Sequence, residues 1–272
     1  RRGTGVNGLV RILGCGPSGG VPRVGPNGWG KCDPREPRNR RRRCAILIER
    51  EGPGGRTTVL VDAGPDMREQ LLDAEVEKLD ALILTHPHAD HVHGLDDVRP
   101  LVISARKRIP SYMDASTSER VRGGFGYLLE TPAGSNYPPL LDERRLTPGA
   151  AETLHGLGGD VQVTPFRVHH GEIDALGLRV GALAYTPDLI DVPPESLRHL
   201  EGLDVWIIDA LRHAPHPSHL TVEQALGWIA RMKPRRAILT NLHTDLDYRA
   251  LAAELPHGVE PAYDGLSIAM NL

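Results

Sequence analysis

The chain has 272 residues, of which 40% are hydrophobic and 25% are charged, and its formal net charge is −3 at pH 7. This length is enough to bury one large core or two small ones, and the small net charge creates no global field that would attract nucleic acid or a membrane surface. No segment approaches the roughly 18 consecutive apolar residues of a membrane helix, and aromatic residues make up only 4% of the chain, so base-stacking platforms are not expected.

Short β-forming runs recur along the chain and predict nine strands, at residues 8–13, 44–49, 57–62, 80–85, 161–168, 176–186, 204–209, 236–240 and 266–270. The segment REGPGG between the second and third strands predicts a hairpin turn. Helical patterns lie between other strands, at residues 65–74, 194–200, 221–232 and 247–255.

Strands come in runs in the first half of the chain and alternate with helices in the second half, which is typical of two sheets covered by helices on their outer faces. We therefore expect an α/β fold, a four-layer αββα sandwich. No break in composition separates two domains, so residues 1–272 are predicted to form a single domain. Residues 104–160 are rich in Gly, Pro and charge and are interpreted as an insertion that forms a lid or a sheet edge.

The segment LILTHPHADHVHGLDD (residues 82–97) places His86, His88, Asp90 and His91 directly after an apolar strand. Imidazole and carboxylate are ligands for divalent metals. In an extended turn, residues 86 and 88 can point to one place while residues 90 and 91 point to a second, so that one loop can supply two adjacent metals. A polar surface loop is the alternative, but four ligand-type side chains at this spacing favour a metal site.

This H-x-H-x-D-H motif after a strand resembles the signature of the metallo-β-lactamase superfamily, and the resemblance extends along nearly the whole chain. It implies that Asp62 braces the metal loop without binding metal. It also implies a later ligand in FRVHHGEIDALG, a bridging aspartate, Asp188, in LAYTPDL, and a last ligand, His243, in AILTNLHTDLDY.

Either His169 or His170 can be the later ligand, because neighbouring residues of a strand point to opposite faces. The family pattern places the ligand directly before a small residue, which selects His170, ahead of Gly171. For Asp188 the alternative role is a helix N-cap, and for His243 it is a place in a solvated loop.

The resemblance implies two divalent metal ions per chain, with zinc or manganese favoured and iron also compatible with the N/O ligands. His86, His88 and His170 would hold the first ion, Asp90, His91 and His243 the second, and Asp188 would bridge them. Metals about 3.5–4 Å apart can hold a hydroxide that attacks an in-line phosphorus centre.

The opening LGCGPSGGVPR (residues 13–23) lacks the G-K-[ST] ending of a P-loop. Together with the metal loop, it resembles two phosphodiesterase branches of the superfamily: the phosphoribosyl 1,2-cyclic phosphate phosphodiesterase of phosphonate breakdown, and ribonuclease Z. Several features favour the first branch. HPSHLTVEQAL places His219 before a helix, where the family has a histidine that serves the leaving group, and residues 104–160 do not resemble a tRNA-gripping arm.

Four further positions stay open. His213 and His216 compete with His219 for the role of proton donor. Arg99 is predicted to bind the substrate phosphate, with a salt bridge to Asp96 or Asp97 as the alternative. The run of residues 40–43, four arginines, could bind a second phosphate or RNA, or form a solvated basic turn.

The three cysteines, Cys15, Cys32 and Cys44, are too few and too irregularly spaced for a disulfide framework, which is typical of a reducing cytoplasm. The start of the sequence has no apolar signal core, so a cytoplasmic location is expected. The favoured branch often carries an accessory zinc held by clustered cysteines, and this chain cannot supply that set. Cys32 and Cys44 are instead expected to be buried or half-buried thiols.

The sequence thus predicts a dinuclear metal-dependent phosphodiesterase that hydrolyses a small phosphodiester, in particular a cyclic phosphate of ribose or a nucleotide. Asp90, Asp188 and His219 are the predicted catalytic residues, and Arg99 and His219 are predicted to contact the substrate. The alternatives are a ribonuclease Z-like tRNA 3′-processing endonuclease and a non-catalytic metal-binding protein of a cofactor pathway, as in pyrroloquinoline quinone synthesis. A membrane or nucleic acid is not an expected partner, and a homodimer remains open.

Overall fold

In a computed structural model that describes residues 7–272, the chain forms two seven-stranded mixed sheets. Residues 1–6 of the domain expected at 1–272 lie outside the described residues. The fourteen strands of the described part are β1 Gly8–Gly14, β2 Ala45–Gly52, β3 Gly55–Val61, β4 Ala81–Ile83, β5 Ile109–Met113, β6 Leu141–Arg145, β7 Glu152–Leu154, β8 Val161–His170, β9 Ile173–Val180, β10 Leu183–Thr186, β11 Val205–Asp209, β12 Arg236–Thr240, β13 Val259–Pro261 and β14 Ser267–Met270.

Six α-helices are described: α1 Met67–Asp73, α2 Ala89–Val92, α3 Arg99–Ala105, α4 Ala115–Phe125, α5 Val222–Met232 and α6 Tyr248–Glu254. The described part of the chain also has four 3-10 helices, at Pro37–Asn39, Leu95–Val98, Gly126–Leu128 and Pro194–Leu200. Helix α5 begins with a capping box, in which Thr221 accepts from the Gln224 backbone and Gln224 accepts from that of Thr221. Among the described residues, no helix is both long enough and apolar enough to span a bilayer.

The strand order is β14-β1-β2-β3-β4-β5-β6 in the first sheet and β13-β12-β11-β10-β9-β8-β7 in the second. One apolar cluster lies between the sheets and includes Ile12, Ile48 and Tyr185. A second cluster packs α1, α3 and α4 against the first sheet, and a third packs α5 and α6 against the second. The predicted αββα arrangement is confirmed, since both outer faces are apolar and covered by helices.

Three predicted elements differ from the structure. The strand predicted at 176–186 is two strands, because Gly181 turns the chain with a φ of +56° and β9 pairs antiparallel with β10. The helix predicted at 194–200 is a 3-10 helix that starts with a proline. The strand predicted at 80–85 is reduced to β4, and the two residues after it lead into the histidine loop.

Residues 104–160, expected to be an insertion, supply paired strands in both sheets. Strands β5 and β6 extend the first sheet in parallel from β4, and β7 pairs antiparallel with β8 at the edge of the second. Helix α4 of this stretch packs on the first sheet through Val121. This segment therefore lies at the edges of the sheets.

Candidate metal centre

The polar residues singled out by the sequence follow strand ends. Asp62 follows β3, His86 comes three residues after β4, and His170 is the last residue of β8. Asp188 lies two residues after β10, and His243 lies three residues after β12. Strands β10, β11 and β12 run parallel, so their carboxyl ends share one edge, which is the usual place for a ligand site in such a sheet.

The histidine loop is held in place by Asp62, which is fully buried. Its carboxylate accepts hydrogen bonds from the Thr85 backbone N–H at 2.8 Å and from the Thr85 hydroxyl, and it contacts His91 Nδ1 at 2.7 Å. The brace implied for Asp62 is thus present as hydrogen bonds. Because Nδ1 of His91 is occupied, its Nε2 remains as the nitrogen that can bind a ligand.

Six of the seven predicted ligands come together in two groups. Among the described residues, the ligand atoms of His86, His88, His170 and Asp188 lie within 4.8 Å of one another, and so do those of Asp90, His91 and Asp188. Asp188 belongs to both groups. Its carboxylate is therefore shared by the two groups of potential ligands.

One oxygen of Asp188 lies at the middle of this arrangement. Its Oδ2 is 3.3 Å from His86 Nε2, 3.4 Å from His91 Nε2 and 3.4 Å from His170 Nε2. The other oxygen, Oδ1, accepts a hydrogen bond of 2.9 Å from the Asn241 side chain. Asn241 therefore orients the carboxylate so that Oδ2 faces the imidazole nitrogens of both groups.

Two of the imidazoles, those of His88 and His170, have the protonation state that metal ligation requires. Burial, with the neighbouring His86, lowers the pKa of His88 below its usual value, and burial lowers the pKa of His170 to about 4. His170 Nδ1 lies 2.8 Å from the Ser218 carbonyl and donates to it, which leaves Nε2 as the acceptor nitrogen. Both rings are thus neutral near pH 7.

The arrangement of these nitrogen and oxygen donors suits a divalent metal. One buried imidazole nitrogen among them makes no hydrogen bond within the described residues. This nitrogen is His91 Nε2, and it lies next to carboxylate oxygens of Asp90 and Asp188. An unpaired buried nitrogen is costly unless something binds it. A cation between these groups would satisfy that nitrogen and both carboxylates.

The seventh predicted ligand, His243, lies on the wall of the same cavity, but its ring nitrogens are not within the two groups described above. Its Nδ1 is 3.2 Å from a carboxylate oxygen of Asp245. Burial, together with the nearby Arg23 guanidinium, lowers the pKa of this ring. His243 is neutral and faces the site from the side of β12.

His219 lies beside the centre and has a buried acidic partner. Its Nδ1 is 2.8 Å from Oδ2 of Asp209, the last residue of β11, which is fully buried. Burial disfavours a charge on the ring, but the contact with Asp209 overcomes it and raises the pKa of His219 to about 9. Asp209 was not among the site residues predicted from the sequence, although its place at the end of an apolar strand was a signal.

The cavity over the centre has a volume of about 420 Å³ and is polar. Besides five of the predicted ligands (His88, Asp90, His170, Asp188 and His243) and His219, its wall includes Ser18, Arg23, Arg212 and His216. Arg212 donates to the carbonyls of Ala214 and Pro215, whereas within residues 7–272 the Arg23 guanidinium has no ion-pair partner. Arg23 and Arg212 were not predicted as site residues, although Arg23 ends the glycine-rich opening.

Arg99, which was predicted to bind the substrate, is paired with an acidic side chain in this structure. Its guanidinium lies 2.6 Å from Asp96, and Tyr127 also donates to that carboxylate. Arg99 does not line the cavity. The alternative salt bridge with Asp96 is therefore present, because the 3-10 helix at Leu95–Val98 places the two side chains one turn apart.

The other histidines considered from the sequence lie at the cavity or on the surface, and the cysteines are buried. His169 contacts Asp174 and His213 contacts Glu223, both on the surface, while His216 packs against His219 with ring centroids 5.0 Å apart. All three cysteines are buried free thiols, as expected for Cys32 and Cys44.

Comparison with known proteins identifies relatives of this chain. Residues 57–241 match the family model described as the Beta-lactamase superfamily domain. The chain is 33% identical over 265 residues to an octanoyltransferase of Porphyromonas gingivalis. The aligned region covers 96% of this chain and 51% of that protein, so the chain spans about half of this relative's length. It is 28% identical over 320 residues to coenzyme PQQ synthesis protein B of Cupriavidus taiwanensis, across 96% of this chain and 99% of the relative.

A similar solved structure is that of a diphosphatase from the PhnP family. The two chains superpose with a TM-score of 0.84 at 33% sequence identity, covering 97% of this chain and 98% of the other. The likeness extends over the whole of both chains. It therefore includes the two sheets and the edge at which the metal centre lies.

Proposed function

This chain belongs to the metallo-β-lactamase superfamily of hydrolases, close to the PhnP family, and from this premise we propose that it is a dinuclear phosphodiesterase acting on a small phosphodiester. The favoured substrate class is a cyclic phosphate of ribose or a nucleotide. The observation that carries the proposal is the position of Asp188 Oδ2 between His86, His91 and His170.

We propose that His86, His88 and His170 hold one divalent ion, that Asp90, His91 and His243 hold the other, and that Asp188 bridges them. Zinc and manganese both suit these N and O donors. When bound, the metals supply Lewis acidity and lower the pKa of water toward neutrality. The chain's own part is to fix the ligands, through Asp62 behind His91, the Ser218 carbonyl behind His170 and Asn241 behind Asp188.

His219 is the proposed proton donor to the leaving oxygen. Asp209 occupies its Nδ1, so the proton to be transferred is the one on Nε2, the other ring nitrogen, while the ring itself lines the cavity. A buried carboxylate behind an imidazole stabilises the protonated ring and fixes its orientation. His216 packs against His219 and has a pKa lowered by burial, so a smaller fraction of it carries the proton that a donor must supply near neutral pH.

The rest of the substrate would contact Arg23 and Arg212, the two guanidinium groups on the cavity wall. Arginine binds phosphate oxygens through its planar fork of N–H donors. The wall has no Phe, Tyr or Trp in the described part of the chain, so it offers no stacking surface for a nucleobase beyond imidazole rings. This favours a sugar phosphate over a nucleotide.

A phosphoanhydride is the second candidate substrate, since the similar PhnP-family structure is described as a diphosphatase. The same ligands and the same proton donor suit both reactions, because each is a displacement at phosphorus. The ribonuclease Z-like alternative and the role in a cofactor pathway stay as competing proposals, the latter with support from the likeness to PQQ synthesis protein B.

The test is turnover by purified protein loaded separately with Mn²⁺ and Zn²⁺. The substrates are bis(p-nitrophenyl) phosphate, ribose 1,2-cyclic phosphate with and without a 5-phosphate, ADP-ribose and a tRNA precursor. We expect cleavage of the cyclic phosphate and its loss in His88→Ala. Cleavage of ADP-ribose alone would favour the phosphoanhydride, and cleavage of the tRNA precursor alone would favour the nuclease. Two bound ions per chain without any turnover would contradict an enzymatic phosphodiesterase role.

A further inference from the structure

A second cavity, of about 490 Å³, lies apart from the metal centre, and its lining shares no residue with the cavity described above. Four arginines face it, Arg11, Arg38, Arg40 and Arg42, and we call it the arginine cavity. We propose that the arginine cavity binds a small phosphorylated, hydroxyl-bearing anion such as a sugar phosphate, independently of the metal centre.

The alternation of an extended segment places the charges in this cavity. In the run of residues 40–43, Arg40 and Arg42 line the arginine cavity, while Arg41 and Arg43 point the other way. Arg41 is buried and donates to main-chain carbonyls including that of His243, and Arg43 pairs with Asp66. The run is therefore divided between two roles, and only its even-numbered members are available to a ligand here.

The arginines of this cavity are in excess over the carboxylates that pair with them. Glu36 binds Arg38 but also Arg249, and Glu49 binds Arg11 but also Arg56, so each carboxylate keeps a cation if the cavity arginine turns to a ligand.

The other two arginines are freer still. Arg42 pairs with the well-exposed Asp73, and such surface pairs contribute little. Arg40 has no acidic partner in the part of the chain that the structure describes. Guanidinium groups that have a weak ion-pair partner or none can donate hydrogen bonds to the oxygens of a phosphate.

The wall also offers acceptors, which a bare phosphate would leave unused. Gln70 is only 2% exposed, and its amide nitrogen donates to the Arg43 carbonyl at 2.9 Å. Its Oε1 is buried and accepts no hydrogen bond from the described part of the chain. The carboxyl of Asp264 and the hydroxyl of Ser267 lie on the same wall. Hydroxyl groups of a sugar would supply the missing donors. Among the residues that the structure describes, the lining has no aromatic side chain that could stack on a nucleobase.

The experiment is isothermal titration calorimetry of ribose 5-phosphate into the metal-loaded protein at low salt. His88→Ala disables the metal centre and so isolates the second site. In that background, Arg40→Glu should weaken binding at least tenfold, whereas Arg35→Glu should not, because Arg35 is exposed, pairs with Asp33 and lines neither cavity. Thermal melting of each variant checks that it is folded.

Three results would overturn the proposal. One is the absence of any binding in His88→Ala, which would place all the phosphate affinity at the metal centre. Another is equal weakening by Arg40→Glu and Arg35→Glu, which would indicate general charge attraction. The third is tight binding of a single-stranded RNA oligonucleotide that depends on Arg40 while ribose 5-phosphate does not bind, which would make this surface an RNA contact. Because binding is measured without turnover, failure of the phosphodiesterase assay leaves this inference intact.

Discussion

The Nδ1 of His219 lies 2.8 Å from the Oδ2 of Asp209, and that oxygen also accepts a hydrogen bond from the Leu189 backbone N–H at 3.0 Å. Leu189 directly follows Asp188, the carboxylate shared by both ligand groups. One buried carboxylate thus connects the proposed proton donor to the backbone that carries the bridging ligand. A change at Asp209 should therefore affect proton donation by His219, and its effect on the backbone next to Asp188 makes metal content a necessary parallel measurement.

We predict that His219→Ala lowers kcat by about 10²–10⁴-fold, the usual contribution of a general acid. Asp209→Asn should lower it in the same direction, because a neutral partner no longer stabilises the protonated ring. The control is His213→Ala, since His213 lies on the surface with Glu223. Steady-state kinetics with metal content measured in parallel will check this. A loss of metal in His219→Ala, or an equal loss of kcat in His213→Ala, would contradict the assignment.

Metal content should distinguish the two neighbouring histidines at the end of β8. His170 belongs to the first ligand group, whereas His169 contacts Asp174 at the surface. We expect His170→Ala to lose about one ion per chain, measured by inductively coupled plasma mass spectrometry, and His169→Ala to keep the wild-type content. If His169→Ala loses an ion and His170→Ala keeps the wild-type content, His169 is the ligand instead.

Arg23→Ala and Arg212→Ala should each raise KM with less effect on kcat, because their guanidinium groups line the cavity without touching the ligand groups. A hydrogen bond to a charged group contributes about 1.5–3 kcal/mol, which corresponds to roughly a 10–100-fold change in KM. Arg99→Ala is the matched control, since Arg99 pairs with Asp96 outside the cavity. An effect of Arg99→Ala as large as that of Arg23→Ala would support the role in substrate binding that the sequence predicted for Arg99.

Arg41 is a structural residue, and its replacement should destabilise the fold. Its guanidinium is 1% exposed and donates to the carbonyls of Leu242, His243 and Leu246, the last at 2.7 Å. Each buried group left unpaired costs about 1–3 kcal/mol. We expect Arg41→Met to lose about 3 kcal/mol or more in urea unfolding, and Arg40→Met to change stability by less than about 0.5 kcal/mol. A loss in Arg41→Met as small as that in Arg40→Met would show that the run of residues 40–43 acts as a surface segment throughout.

The pH dependence of stability should report on Asp264. Burial raises the pKa of this carboxyl to about 7, although the backbone N–H groups of Arg42 and Cys15 oppose the shift; Arg42 itself and the other cavity arginines face it. An unfolded aspartate titrates near ~3.9, so the folded state holds the extra proton between about pH 4 and 7. The contribution of the protonated Asp264 carboxyl to the stability of the folded state is complete below about pH 4 and is lost as the pH rises to about 7.

Asp264→Asn cannot ionise, so its unfolding free energy should fall less than that of the wild-type protein between pH 4 and 7. Each unit of pKa shift corresponds to about 1.4 kcal/mol of that difference. Urea titrations at several pH values give the comparison, and a Cys15→Ala variant tests whether the neighbouring thiol contributes. Parallel slopes for the wild-type protein and Asp264→Asn would show that Asp264 is ionised throughout this range.

Local patterns in the chain were sufficient to predict the fold and to identify most of the candidate ligands. The residues around His86 and Asp90 follow one short strand, and neighbours in sequence must be neighbours in space there, so their spacing already limits where they can point. The apolar runs likewise identify β2, β3, β11 and β12 because each must be buried in a sheet. These are properties of period and spacing.

The tertiary structure alone decided the partners of the charged side chains. Arg99 has a close partner one turn away in Asp96, whereas Arg23 reaches the cavity only because the segment after β1 folds over the carboxyl ends of the second sheet's strands. Asp209 becomes the partner of His219 through the packing of β11 against the loop before α5. Strand period and motif spacing are local in the chain, but the energy of a charge depends on groups that approach it from distant segments, and only the folded chain brings those segments together.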